Sequence, residues 1–226
     1  GYSKLILEKF NIGKLIAIDR DPVAKFFAKN LFTKFGNFEL VNGCFSKIDE
    51  LILNHQKHKK NEFDVIIFDL GTSSNQLDNP QRGFSFMNEG PLDMGMGCNK
   101  KKLSDIINKY SEEDLANIIF KFGEERHSRK IARNIVAARK TKLLESTKEL
   151  NKLILKSFNP NLIKKSKIDP ATKTFQALRI YVNDELNELN IALNKCLDLL
   201  NYRGKIITVS FQSLEDRIVK DFLNHN

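Results

Sequence analysis

The run Asp64–Leu70 (DVIIFDL) decides the fold. Its centre is apolar at successive positions, so both faces of a strand would need cover. Parallel sheets meet that need, because their crossovers lay helices over both faces. The same alternation recurs upstream. Lys14–Asp19 (KLIAID) reads as a buried strand and Phe38–Asn42 as another, with helices over Ser3–Phe10, Pro22–Phe35 and Ser46–Leu53. Pro22 sits where a first helical turn tolerates it. Short apolar strands alternating with helices predict an α/β sheet domain. Residues 55–61 (HQKHKKN) read as a charged surface loop.

Downstream the periodicity disappears from Gly71 to Asn99. A long irregular stretch within a compact domain usually serves function, and Gly83–Met94 (GFSFMNEGPLDM) carries enough apolar side chains to pack. Only helical patterns follow: Leu103–Lys109, Ser111–Phe122, Glu124–Lys140 and Ser146–Phe158, the last opened by Ser146 and Glu149 in capping-box spacing. After a polar loop, Pro160–Pro170, apolar residues from Leu178 to Leu200 step by three and four. They predict one helix of about 26 residues from Thr174. Gly204 turns the chain into a strand, Lys205–Phe211, and a last helix begins at Ser213. The economical arrangement is a sheet domain in two pieces, residues 1–98 and 171–226, around a helical insert, residues 99–170.

Composition narrows the function. Among 226 residues no apolar run approaches the ~18–20 a membrane span needs. Lys4, Glu8, Lys9 and Lys14 interrupt any secretory leader. Three scattered cysteines form neither a disulfide framework nor a zinc site, so a soluble, reducing-compartment (cytoplasmic) protein is expected. Lys and Arg number 37 against 28 Asp and Glu, a formal charge of +9 that favours a polyanion. Most of those cations are Lys and would equally serve as a solvated coat. Arg126, Lys130 and Arg133, however, fall at i, i+4 and i+7 and share one helical face, a spacing suited to phosphates. A P-loop, a G-x-S-x-G elbow and an H-E-x-x-H pair are all missing from the sequence, which leaves kinase, hydrolase and metalloprotease chemistry without a foothold.

Three strand ends carry chemistry. Asp19 follows Gly1-Tyr2-Ser3 by the spacing at which an acid on the second strand tip of a nucleotide-binding sheet takes both ribose hydroxyls. The spacing fits NAD and S-adenosylmethionine alike, and an Asp before Asp21-Pro22 is also a good turn residue. Phe45, after the Asn42-Gly43-Cys44 turn, is placed either against an adenine ring or in the core. Asp69 opens DLGTSSNQ (Asp69–Gln76). A carboxylate at a buried strand tip is costly unless it is solvated or faces a cation. The α-ammonium or sulfonium of S-adenosylmethionine is such a cation.

Several stretches are long and specific: LIAIDRDP (Leu15–Pro22), FDLGTSS (Phe68–Ser74), QLDNPQRGFSFMNEGPLDM (Gln76–Met94), YSEEDLANIIFKFGEERHSRKIARNIV (Tyr110–Val136), TKTFQALRIYVNDELNEL (Thr172–Leu189) and SFQSLEDRIVK (Ser210–Lys220). Together they resemble, in order and over nearly the whole chain, the bacterial small-subunit ribosomal RNA cytidine N4-methyltransferase family (MraW, or RsmH). The resemblance implies a class I S-adenosylmethionine-dependent fold with an inserted all-helical RNA-recognition domain. It implies N4-methylation of a cytidine in the decoding region of 16S rRNA within the small ribosomal subunit, with no membrane partner and with a homodimer compatible. By motif match it places Gly1, Tyr2, Asp19, Phe45, Asp69 and Gln76 at the cofactor, and Asp69, Asp93 and Ser210 at the reacting base. Asn183 would join Arg126, Lys130 and Arg133 on the RNA, and Phe84 or Phe86 would either stack the base or only anchor the loop.

The same comparison implies departures. The family's first strand and the start of its glycine loop precede Gly1, and family sequences run past Asn226, so the chain is expected to be a fragment. Gly95 stands where the family usually has Arg, Gln212 where it has His, and Tyr2 where His is commoner. A dehydrogenase, a non-catalytic rRNA-binding assembly factor and a DNA amino-methyltransferase remain as competing readings. The last lacks its usual Pro-Pro-aromatic motif after Asp69.

Overall fold

The computed structural model describes residues 2–56, 62–98 and 101–225. It is an α/β protein with short parallel sheets and many helices. The elements in chain order are α1 (Tyr2–Lys9), β1 (Leu15–Asp19), α2 (Ala24–Lys34), β2 (Phe38–Asn42), α3 (Ile48–Gln56), β3 (Phe63–Asp69), α4 (Ser74–Asp78), α5 (Leu103–Lys109) and α6 (Glu112–Gly123), followed by α7 (Ser128–Arg139), α8 (Thr147–Leu155), α9 (Pro160–Lys165), α10 (Thr172–Asn183), α11 (Glu185–Cys196), β4 (Leu200–Val209) and α12 (Ser213–His225). None of the helices among these residues is long and apolar enough to cross a membrane.

Contacts divide the chain into two compact units. One holds residues 1–70, 96–98 and 186–226, the other residues 71–95 and 99–185. Sequence periodicity places the boundaries elsewhere, at residues 98 and 170. The irregular stretch and α10 pack with the helices, which a pattern of local periods does not register.

In the first unit β1 pairs with β2 and β3 with β4, both parallel. Side chains alternate across β1 as a pleated strand requires. Leu15 and Ala17 join Leu7, Ala28 and Phe38, so α1 and α2 cover one face. Ile16 and Ile18 pack with Ile52, Phe68, Leu193 and Phe222, which brings α3, β3, α11 and α12 into the other cluster. Of the two-sided cover expected from the apolar runs, β1 packs on both faces, whereas β3 leaves Val65 and Ile67 exposed.

The second unit is helical. Leu115, Ile119, Ile131, Ile135, Leu150 and Ile154 are fully buried, drawn from the apolar stripes of α6, α7 and α8. Each such side chain contributes roughly 1.5–3 kcal/mol. The capping box at Ser146 and Glu149 forms as its spacing predicts. Arg139, within the basic run, donates to the carbonyls of Ile107 and Tyr110 and so satisfies the open end of α5.

The single helix expected from Thr174 to Leu200 is two helices. Asp184 takes a left-handed φ of 53° between α10 and α11, a conformation a short polar side chain tolerates. Arg179 holds Glu185 across the break with two bonds of 2.9 Å. The apolar stripe runs unbroken through the bend, so periodicity alone misses it. Residues 160–165, expected as loop, form the short α9, and β4 begins at Leu200 rather than Lys205. The chain also leaves the first unit beside a left-handed residue, Gly71 at φ 91°. The expected loop at residues 55–61 lies largely outside the described residues.

Gly123 closes α6 where it crosses α10. A Cβ there would lie 2.4 Å from the Lys173 carbonyl oxygen and 3.1 Å from the Ala177 Cβ. Gly123→Ala is therefore expected to cost about 1–3 kcal/mol, whereas Leu143→Ala at an exposed position stays within about 0.5 kcal/mol. Urea unfolding of the two variants checks the contrast.

Candidate functional site

Asp19 and Asp69 are the last residues of their strands, in register with Asn42 and Val209. Parallel strands release their loops at the carboxyl ends, where sheet ligands bind. Phe45, three residues past β2, meets the Phe68 ring edge-on at 6.0 Å, and Phe68 immediately precedes Asp69. One rim thus carries Asp19, Phe45 and Asp69.

The loops of this rim are braced through their backbones. The Asp19 carboxylate accepts the Asp21 N–H at 2.8 Å, while its carbonyl accepts from the Gly43 N–H and the Asn42 side chain. Beyond β2, the Ser46 N–H donates to Glu188 on α11 at 3.2 Å. Arg20 reaches the Gly97 carbonyl at 3.2 Å, fastening residues 96–98 over the turn after β1. Burial pushes the Asp19 carboxyl above the usual carboxylate range, opposed by the Asp21 N–H bond. Burial raises Asp69 too. Among the described residues neither carboxylate has an ion-pair partner. Two acids are held where ionisation is penalised and a cationic or hydroxylic ligand would relieve it.

Ser210 follows β4 directly and is half-buried beside the Asp69 register. Tyr2 is exposed at the start of α1, and Gly1 lies outside the described residues. Gln76 is buried, and its Oε1 accepts the Ser73 N–H at 3.0 Å in a capping box that opens α4. Asp93 is exposed, its carboxylate accepting the Gly95 N–H.

The segment around Asp93 belongs to the helical unit. Thr147, buried at the head of α8, donates to the Asn88 carbonyl and accepts the Gly90 N–H, and its own N–H reaches the Gly90 carbonyl at 2.8 Å. Arg82 donates to the Gly95 carbonyl at 2.8 Å. Phe84 is 6% exposed and Phe86 packs against Phe175 at 5.0 Å, so both anchor the loop. Of the two readings of these rings, the packing agrees with the loop anchor.

Asn183 is corrected. It is 0% exposed, and its amide donates to the Met94 and Arg179 carbonyls, which takes it off any RNA-facing surface. The expected basic helical face is shorter than its spacing implied. α7 begins at Ser128, so Arg126 lies in the turn before it, while Lys130 and Arg133 share an exposed face. Glu112 stands 3.6 Å from Arg133.

The structure adds one feature the sequence does not display. Tyr110, Asn117, Lys121, Phe122 and Tyr181 line a cavity of about 260 Å³ within the helical unit. Tyr110 and Tyr181 meet edge-on at 6.1 Å, and the Lys101 ammonium lies 4.0 Å from the Tyr181 ring. Burial pushes the Tyr181 phenol up to about 12, so it stays a neutral donor. Two tyrosines so far apart in sequence give no local signal of their pairing.

Known proteins align with this chain throughout. A family model described as the MraW methylase family matches residues 1–226. Ribosomal RNA small subunit methyltransferase H of Caldicellulosiruptor saccharolyticus is 47% identical over 228 residues, covering 100% of this chain and 72% of that protein. The proteins of the same name from Rickettsia conorii and Orientia tsutsugamushi (strain Ikeda) are 44% and 46% identical, each covering 100% of this chain and 71% of the relative.

The raised carboxyls have a consequence for stability. A folded-state value above the unfolded one gives a stabilisation that is complete below about 3.8 and lost as pH rises through the folded value. At neutral pH the ionised acids therefore weaken the unliganded fold. Asp19→Asn and Asp69→Asn should each raise stability at pH 7 by less than about 1 kcal/mol, discounted because both residues remain open to solvent. The gain should fade as pH approaches 3.8, which melting curves across pH would follow.

Proposed function

This chain belongs to the MraW methylase family, a methyltransferase family whose methyl donor is S-adenosylmethionine, and we propose that it methylates N4 of a cytidine in the decoding region of 16S ribosomal RNA. The observation that carries the reading is the set of parallel strand ends, where two carboxylates without ion-pair partners among the described residues stand with an aromatic ring. In this reading the sheet unit is a class I methyltransferase domain, the helical unit is the RNA-recognition insert, and the protein works in the cytoplasm.

The residues suit the donor. Asp19, with a carboxylate that accepts, fits two ribose hydroxyls. Phe45 offers an apolar edge to the adenine, and Tyr2 stands at the start of the helix where the glycine loop would end. Gln76, its Oε1 already used in capping, borders the methionine end by position alone. Asp69 faces the positive charge. When bound, the donor supplies an electrophilic methyl carbon on a sulfonium.

Cytosine N4 is a poor nucleophile because its lone pair is delocalised into the ring. Asp69 accepts a hydrogen bond from the N4 amine, which favours the pyramidal geometry that localises the pair. Its carboxylate, raised by burial, is then the nearest acceptor for the proton the amine must lose. Ser210 orients the base from the β4 side. Holding amine and methyl in line supplies much of the remaining acceleration.

On the helical unit Arg126, Lys130 and Arg133 hold phosphates, and the tyrosine-lined cavity takes a flanking unstacked base. Arg133 gives the least, being shared with Glu112.

Incubating the protein with unmethylated small subunits and methyl-labelled S-adenosylmethionine should place label on one cytidine N4. Donor binding without transfer would leave an rRNA-binding factor in its place. Reversing Arg126, Lys130 and Arg133 to Glu should weaken subunit binding at least tenfold and flatten its salt dependence, with donor affinity unchanged. Unaltered binding at several salt concentrations would remove the helical unit from the substrate.

A further inference from the structure

We infer that Phe211 is the platform on which the acceptor base stacks beside Asp69. The inference rests on the methyltransfer reading above and names a residue that holds the substrate at that site.

Its position comes from the ladder. Val209 is the register partner of Asp69, and the Leu70 N–H bonds the Val209 carbonyl at 3.0 Å, so pairing of β3 with β4 closes there. Phe211 follows Val209 by two residues and sits within about 7 Å of it along the chain. Its ring is 73% exposed. A large apolar ring left open to water at a ligand-binding rim is a surface waiting for a flat partner.

The backbone beneath that ring is fixed. The Phe211 N–H donates to Glu215 Oε2 at 3.2 Å, and the Gln212 side chain donates to Glu215 Oε1 at 2.9 Å. Glu215 itself is 3% exposed in the first turn of α12. One buried carboxylate therefore pins both residues after β4, leaving the Phe211 ring as the free element. A platform held in this way loses little freedom when a base settles on it.

The other rings near the site or on β4 are engaged or misplaced. Phe84 is in the core, Phe86 is packed on Phe175, and Phe45 is edge-on to Phe68. Tyr202 is more exposed, at 88%, but lies near the opposite end of β4. Base–aromatic stacking needs only a π face, and RNA-modifying enzymes commonly splay the target nucleotide out of its strand to use one. Stacked on Phe211, a cytosine keeps its exocyclic amine in the ring plane, where it turns toward Asp69 without losing the stack.

The test compares Phe211→Ala, Phe211→Leu and Phe211→Tyr with the unchanged protein. Methyl transfer to unmethylated small subunits, S-adenosylmethionine affinity by calorimetry, and thermal melting are measured on each. Phe211→Ala should lower kcat/KM for the subunit at least tenfold, with donor affinity and melting unchanged. Phe211→Tyr should stay within about twofold of the unchanged protein. Phe211→Leu, apolar but without a π face, should remain impaired. Full activity of the Ala variant, or Leu restoring activity as well as Tyr, overturns the platform. A lack of transfer by the unchanged protein overturns the methyltransfer reading and the platform with it.

Discussion

Parallel pairing is the constraint on which the rest depends. Two parallel strands cannot be joined by a tight turn, so each must return through a crossover, and every loop that leaves a carboxyl end emerges on the same rim. Asp19, Asn42, Asp69 and Val209 are paired strand ends for that reason, and Phe45 reaches Phe68 from the loop after β2. Holding Asp19 and Asp69 where their ionised forms are disfavoured weakens the empty fold. A cationic ligand bearing hydroxyls would oppose that penalty.

The helical unit answers a different demand. Its core is built from fully buried Ile and Leu side chains, and its polar groups are mostly spent on itself. Arg139 closes α5, Asn183 ties Met94 to α10, and Thr147 ties the segment at 88–90 to α8. Arg126, Lys130 and Arg133 stand exposed on this unit, Arg133 beside Glu112. A polyanion needs such a surface, whereas a small-molecule site would not. The loop carrying Asp93 folds as part of this helical unit.

Much of the sheet unit was legible in sequence because local pattern sets the strands, although Val65 and Ile67 leave one face of β3 exposed where the apolar run predicts cover. DVIIFDL and KLIAID are apolar on both faces and form β3 and β1, and the acids that end them are where strand ends fall. Legibility failed where a long-range bond decides. The bend at Asp184 is fixed by an Arg179–Glu185 pair that apolar periodicity does not record. Asn183 sits in a long specific motif for the sake of two carbonyls, so motif membership alone misassigned it to RNA. Phe84 and Phe86 looked equivalent to any exposed aromatic, and only packing separates them from Phe211.

The left-handed residues at which the chain passes between its two units carry an evolutionary consequence. Gly71 and Asp184 occupy left-handed backbone conformations that Gly, Asn and Asp adopt most readily. Other side chains pay a steric cost there whatever happens to substrate or solvent. Family alignments should accordingly show two narrow columns that have nothing to do with methyl transfer, and counting them as catalytic would misread steric restriction as chemistry.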